Sequence, residues 1–161
     1  VTPLPVQQAA LEVEPVFREP LRVVTPRDHP LAQGSRISRE ELAGQRVLTI
    51  EQRHHLHAKV RDICTAHGAT LLRDYEGTSL DALRIMVGMG LGVAFLPALY
   101  VRSEIRGRGD LAVLEVAAPN LYRQIGLTWR RGSALGDEYR RLAELVRGVA
   151  RRSFRELTIL R

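Results

Sequence analysis

Three of the five histidines fall in one pentapeptide, Arg53-His54-His55-Leu56-His57, with Cys64 and His67 a short way downstream. If this stretch is helical, His57 and Cys64 are seven residues apart and share a face. The same holds for Cys64 and His67, three apart. Imidazole and thiolate donors gathered in this way are the ligands zinc and copper prefer. The spacing, however, matches no strong metal signature, and the acidic neighbours are Glu51 and Asp62. No metal site is therefore expected. Cys64 reads as a small core residue, and His57 and His67 as lying on the helix flanks.

A second set of polar groups stands at Thr78 and Ser79, ahead of the apolar-periodic run Leu80, Leu83, Met86 and Val87. Two hydroxyls and free backbone N–H groups at a helix start can hold an anion. They can equally be an ordinary N-cap. His54 and His55 stand at the start of another helix, just after a strand. If the two strands involved are parallel neighbours, both helix starts open at one sheet edge, where open α/β sheets bind ligands.

Catalysis has little support. Ser79, Ser103 and Ser133 could each be drawn beside a histidine, but none sits in a G-x-S-x-G elbow. The glycines of Gly88 to Gly92 follow a helix and precede a strand, the reverse of a dinucleotide loop. They read as a loop that lets helix and strand pack closely. No enzyme and no cofactor is expected.

These residues need elements to hold them. Four prolines (Pro3, Pro5, Pro15, Pro20) keep 1–20 extended or loop-like. Strands are expected at 21–26, 46–50, 70–76, 92–97, 111–116 and 124–130. Ser38 and Glu41 have capping-box spacing for a short helix that Gly44 stops. A helix over 54–67 turns Leu56, Val60, Ile63, Cys64 and His67 to one side and ends at Gly68. Another begins at Thr78 or Ser79, a helical turn covers 98–101, and a flexible tip lies at 106–110. The last helix, 137–154, has an apolar stripe of Tyr139, Leu142, Ala143, Val146 and Val149. The strand–helix–strand–helix–strand order in the middle requires parallel pairing.

The chain has 161 residues, 45% of them apolar and 26% charged, which is ordinary globular usage and excludes a disordered or collagen-like chain. Aromatics make up 5%, too few for a base-stacking surface. The net charge is +6, with a sequence pI near 10.4, and Lys59 is the only lysine. Arginines are scattered except at Arg140, Arg141, Arg147, Arg151, Arg152 and Arg155, which are expected to coat the solvent face of the last helix. One cysteine excludes an intramolecular disulfide and suits a reducing, cytoplasmic setting. No stretch is long and apolar enough to span a bilayer, so no membrane partner is expected.

Four segments together carry a family resemblance: EPVFREPLRVVTPRDHPLA, LAGQRVLTIEQRHHLHAKVRDIC, TSLDALRIMVGMGLGVAFLP and IGLTWRRGSAL. From about Leu11 to Phe154 the chain resembles the effector-binding domain of LysR-type transcriptional regulators, nearest to the peroxide-sensing activators. The resemblance implies a periplasmic-binding-protein-like α/β fold of two Rossmann-like lobes with an effector in the cleft. It divides the chain into 1–22, a remnant of lobe one; 23–97, lobe two; and 98–161, the returning part of lobe one. On this pattern lobe one is incomplete, and the DNA-binding domain and linker helix would precede the chain.

The resemblance also implies that His54 matches the subgroup's histidine, that His55 occupies the position of its peroxide-reactive cysteine, and that Cys64 matches the second cysteine. Effector contacts are then expected from His54, His55, Thr78, Ser79 and Arg130, an arrangement suited to a small anion. Cys64 is the redox candidate, although its place on the apolar stripe argues for an inert thiol. The implied partners are further copies in a dimer or tetramer, with helix 54–67 as a packing face. DNA and RNA polymerase would be engaged only through the full-length protein. Two other readings are a transport solute-binding protein of the same fold and a metal sensor using His54, His55 and His57.

Overall fold

The computed structural model describes all residues except Gln7, Arg106 and Arg108. The expected tip at 106–110 thus lies partly outside the described residues. Two compact units form, one from Val1–Pro20 with Tyr122–Arg161 and one from Leu21–Leu121.

In the first unit, β1 (Thr2–Leu4) pairs antiparallel with β8 (Tyr122–Arg130). β8 in turn pairs with the first part of β2 (Leu11–Pro26), and β9 (Thr158–Ile159) pairs with β2 at Phe17 and Arg18. The prolines leave the chain extended, as expected. The β2–β8 register shifts between Pro15 and Phe17, so the missing N–H of Pro15 falls at an irregularity. Gly126 lies so close to β2 that a Cβ there would be 2.7 Å from the Glu14 carbonyl oxygen.

α4 (Gly136–Ser153) differs from its expected stripe: Ala143, Arg147 and Ala150 are the buried positions, while Leu142 and Val149 are exposed. Arg147 is the exception to the solvent-coating arginines. Its guanidinium donates to Glu144, Glu14 and the Pro15 carbonyl, and these charge-assisted bonds offset its burial.

The second unit is a mixed sheet. The end of β2 runs antiparallel to β6 (Val93–Pro97) on one side and to β7 (Leu111–Ala117) on the other. β6 is parallel to β4 (Arg46–Ile50), and β4 is parallel to β5 (Thr70–Gly77). β3 (Arg36–Ser38) is parallel to β7. Because β7 pairs with Val23–Pro26, residues 98–121 pack with this unit. The division at 97 expected from the sequence is thus replaced by one at 121.

The helices α1 (His55–His67) and α2 (Leu80–Gly88) join the parallel strands and bury Leu56, Val60, Ile63, Leu83 and Val87 against Val47, Leu48, Val93 and Phe95. After β6, a short helix α3 (Ala98–Tyr100) runs on into a wide helical turn, Val101–Ile105. The capping box forms as expected: the Ser38 N–H donates to Glu41 Oε2 at 2.7 Å, and the Glu41 N–H donates to Ser38 Oγ at 3.4 Å. It opens a single 3-10 turn, Glu40–Leu42. The glycine loop acts differently from expectation. A Cβ on Gly92 would meet the Arg46 carbonyl oxygen at 2.7 Å, so the close approach is between strands rather than between helix and strand.

Candidate functional site

The parallel register sets Thr49 opposite Glu76 and Ile50 opposite Gly77, and the Glu51 N–H donates to the Gly77 carbonyl at 3.1 Å. Both strands end together, so α1 and α2 start from the same edge of the sheet, as the sequence suggested. Gly77 permits the tight turn into α2, since a Cβ there would lie 2.9 Å from Leu83 Cδ2.

The two helix starts are chemically unequal. Ser79 is the N-cap of α2, and its Oγ accepts the Ala82 N–H at 3.1 Å. The plain capping role left open by the sequence is therefore the one Ser79 fills. Asp81 in the first turn adds a negative charge that already complements the helix dipole. α1 has neither device. His54 occupies its N-cap position with extended backbone and no side-chain cap bond, and its first turn contains no acid. Its leading N–H groups carry the dipole's positive end with no side chain answering them. An anion is better accommodated there than at α2.

Two polar atoms in the same segment are buried without a partner, Thr49 Oγ1 and His54 Nε2. Thr49 is 1% exposed. Unsatisfied buried hydroxyls are uncommon in folded proteins. The sequence reading passed over Thr49. The available signal was a lone hydroxyl inside the otherwise apolar Val47-Leu48-Thr49-Ile50.

His55 opens α1 and is exposed, and Thr78 is exposed ahead of the α2 cap. Arg130 ends β8 and is exposed, but it belongs to the first unit. Cys64 is buried on the inner side of α1, and burial pushes its thiol up to about 11. His57 departs from expectation, being buried rather than on a flank. Its Nδ1 lies 2.9 Å from the Ile50 carbonyl oxygen and donates to it, which satisfies the ring inside the core. Among the described residues no group of three or more His, Cys, Asp or Glu side chains could hold a metal ion. Ser103 Oγ donates to the Tyr100 carbonyl, and Ser133 Oγ accepts the Leu135 N–H, so both hydroxyls serve local backbone.

The sequence model of the LysR substrate binding domain matches residues 1–151. The chain belongs to the LysR family. It is 37% identical over 140 residues to a hydrogen peroxide-inducible genes activator of Pectobacterium carotovorum, covering 87% of this chain and 46% of that protein. It is 38% identical over 140 residues to the DNA-binding transcriptional dual regulator OxyR of Escherichia coli, covering 87% and 45%. This LysR-family chain thus spans about half the length of the curated relatives it matches.

Among solved structures, the reduced form of OxyR superposes with a TM-score of 0.81 at 34% identity, covering 94% of this chain and 70% of that one. The oxidised form gives 0.80 at 35%, covering 94% and 71%. The mixed α/β fold is therefore the periplasmic-binding-protein-like fold of OxyR regulatory domains. This family member has one cysteine in its sequence, Cys64.

Proposed function

We propose that this chain is the effector-sensing regulatory domain of a DNA-binding transcription factor of the hydrogen peroxide-inducible activator type, with His55 at the position of the peroxide-reactive cysteine. One observation carries the reading. The start of α1 presents His54 and His55 and no thiol, while the single cysteine lies nine residues on, buried and with a raised pKa. Peroxide chemistry of the thiol type needs an accessible thiolate. Imidazole forms no sulfenic acid, and Cys64 has no second cysteine in the chain to close a disulfide.

In place of peroxide, a small anion is the effector. It is received at the uncapped start of α1 by His54, His55 and the leading N–H groups, with Thr78 and Ser79 at the adjoining helix start. Thr49 and His54 supply the buried polar atoms that lack partners. Arg130 lies on the other unit, and the residues invoked here come from the second. The two units correspond to the two lobes of the fold. Occupancy shifts the population between arrangements of the regulatory domain, and the DNA-binding part of the full-length protein, working as a dimer or tetramer, reads out the shift. Contacts with DNA and RNA polymerase belong to that longer protein. The activator names of the relatives favour regulation over transport.

The test is thermal unfolding with acetate, succinate and citrate against wild type, His54→Ala and His55→Ala. A ligand that binds only the folded state raises the midpoint with concentration. The expected result is a rise in wild type for at least one anion that both variants lose. No rise with any of the three, or an equal rise in both variants, overturns the anion reading.

A further inference from the structure

A groove of about 410 Å3 lies in the second unit, running along α1 from Gln52 and His57 near its start to Thr65. Its walls are α1 and β5. His57, Arg61 and Cys64 come from the helix, at spacing that stacks them on one side, and Leu71, Arg73 and Glu76 come from the strand. The strand wall follows from an irregular ladder. Leu71 stands opposite Val47 and Glu76 opposite Thr49, so five steps along β5 match two along β4. The intervening residues leave the pairing, and Arg73 and Glu76 reach the groove from either side of that excursion.

The charges in this groove are incompletely answered. Arg73 makes no hydrogen bond or ion pair among the described residues. Arg61 touches Asp62 at 3.2 Å, with both side chains more than half exposed, a pairing weak enough to exchange. Glu76 has His57 Nδ1 at 4.0 Å, but that nitrogen already donates to the Ile50 carbonyl. Nε2 is thus the ring nitrogen left for a ligand. Leu71 and Ala69 add apolar surface without charge, while Cys64, 3% exposed, contributes little. Two guanidiniums, one carboxylate and a short apolar wall complement a molecule bearing a carboxylate and an ammonium group close together.

The geometry points to this groove as a second binding site, taking a small zwitterion of the α-amino acid type, with its carboxylate on Arg73 and Arg61 and its ammonium on Glu76. The site does not depend on the anion reading at the start of α1. It is linked to that region through His57, whose ring holds the carbonyl of Ile50, the residue where β4 ends and the lead into His54 begins.

The experiment is two-dimensional NMR of the nitrogen-15-labelled chain titrated with L-alanine and, separately, with L-lactate, which keeps the carboxylate and replaces the amine by a hydroxyl. Saturable shifts are expected at amides of 57–65 and 69–76 with L-alanine, at least about fivefold tighter than with L-lactate. Arg73→Gln should weaken both at least about tenfold, as loss of a charge-assisted pair does. Glu76→Gln should abolish the preference for L-alanine. His54→Ala should leave these shifts in place, so failure of the anion site is separable from failure of this one. Three outcomes overturn the inference: no saturable shift up to about 50 mM, where a millimolar site would be filled; shifts confined to 49–55 and 78–80; or shifts in the groove that survive Arg73→Gln in a spectrum that is otherwise native.

Discussion

Alkylation of Cys64 gives the sharpest check on its assigned inertness. Burial raises the thiol from an ordinary 9.0 to about 11. At neutral pH this lowers the thiolate fraction about a hundredfold, because the thiolate is the attacking species. A more basic thiolate is a better nucleophile, and a Brønsted slope of about 0.4–0.5 returns roughly eightfold of that loss. Ionisation alone therefore slows the reaction about tenfold. Steric access multiplies this, since the residue is 3% exposed and alkylation must wait for α1 to open locally. The assay is the pseudo-first-order rate with iodoacetamide at pH 7.5, for the native chain and for the chain in urea. The native rate should be at least about 100-fold slower, given that both factors act together. A native rate within threefold of the unfolded one would refute the reasoning.

The same shift has a consequence for stability. A thiol whose folded pKa is raised favours the folded state fully below pH 9.0 and loses that contribution as pH climbs through about 11. Urea midpoints should fall over that window by an amount corresponding to about 3 kcal/mol from Cys64. Tyr100, whose hydroxyl is pushed up to about 12 by burial, adds a fall of the same sign at higher pH, so Cys64→Ala should lessen the fall and leave the Tyr100 part. Glu14→Leu should lower stability by about 3 kcal/mol in urea unfolding, since it leaves the buried Arg147 guanidinium without that carboxylate, and Arg147→Leu in the same chain should recover part of it. Ser79→Ala should cost about 1 kcal/mol by removing the bond to the Ala82 N–H, and Ser79→Asp should restore it.

The middle of the chain was legible because its local signals agree with each other. Arg46–Ile50 falls where a short apolar run was read as a strand, α1 falls where the helical period placed it, and Gly68 closes α1 in the left-handed region. Parallel pairing followed from element order, and the shared edge of the two helix starts was conditional on the two strands being neighbours, which the β4–β5 ladder meets. What the sequence could not yield depends on pairing across long separations. That β7 joins β2 is decided by Val23–Pro26 meeting Leu111–Leu114 in space, so the division at 121 had no local mark. The burial of His57 and Arg147 was missed for a similar reason. Each is tolerated because a distant acceptor, the Ile50 carbonyl or the Glu14 carboxylate, is brought to it by the fold. Thr49 was passed over because a strand hydroxyl is unremarkable until its surroundings are seen to lack a partner.

The most direct test of the account is native mass spectrometry of the chain before and after hydrogen peroxide. Unchanged mass, with no oxygen added at Cys64 and no covalent dimer, is the result expected under the proposed function, which puts His55 at the position of the reactive cysteine. Oxygen added at Cys64, or a Cys64–Cys64 linked dimer formed at low peroxide, would contradict it and restore redox sensing to the single thiol.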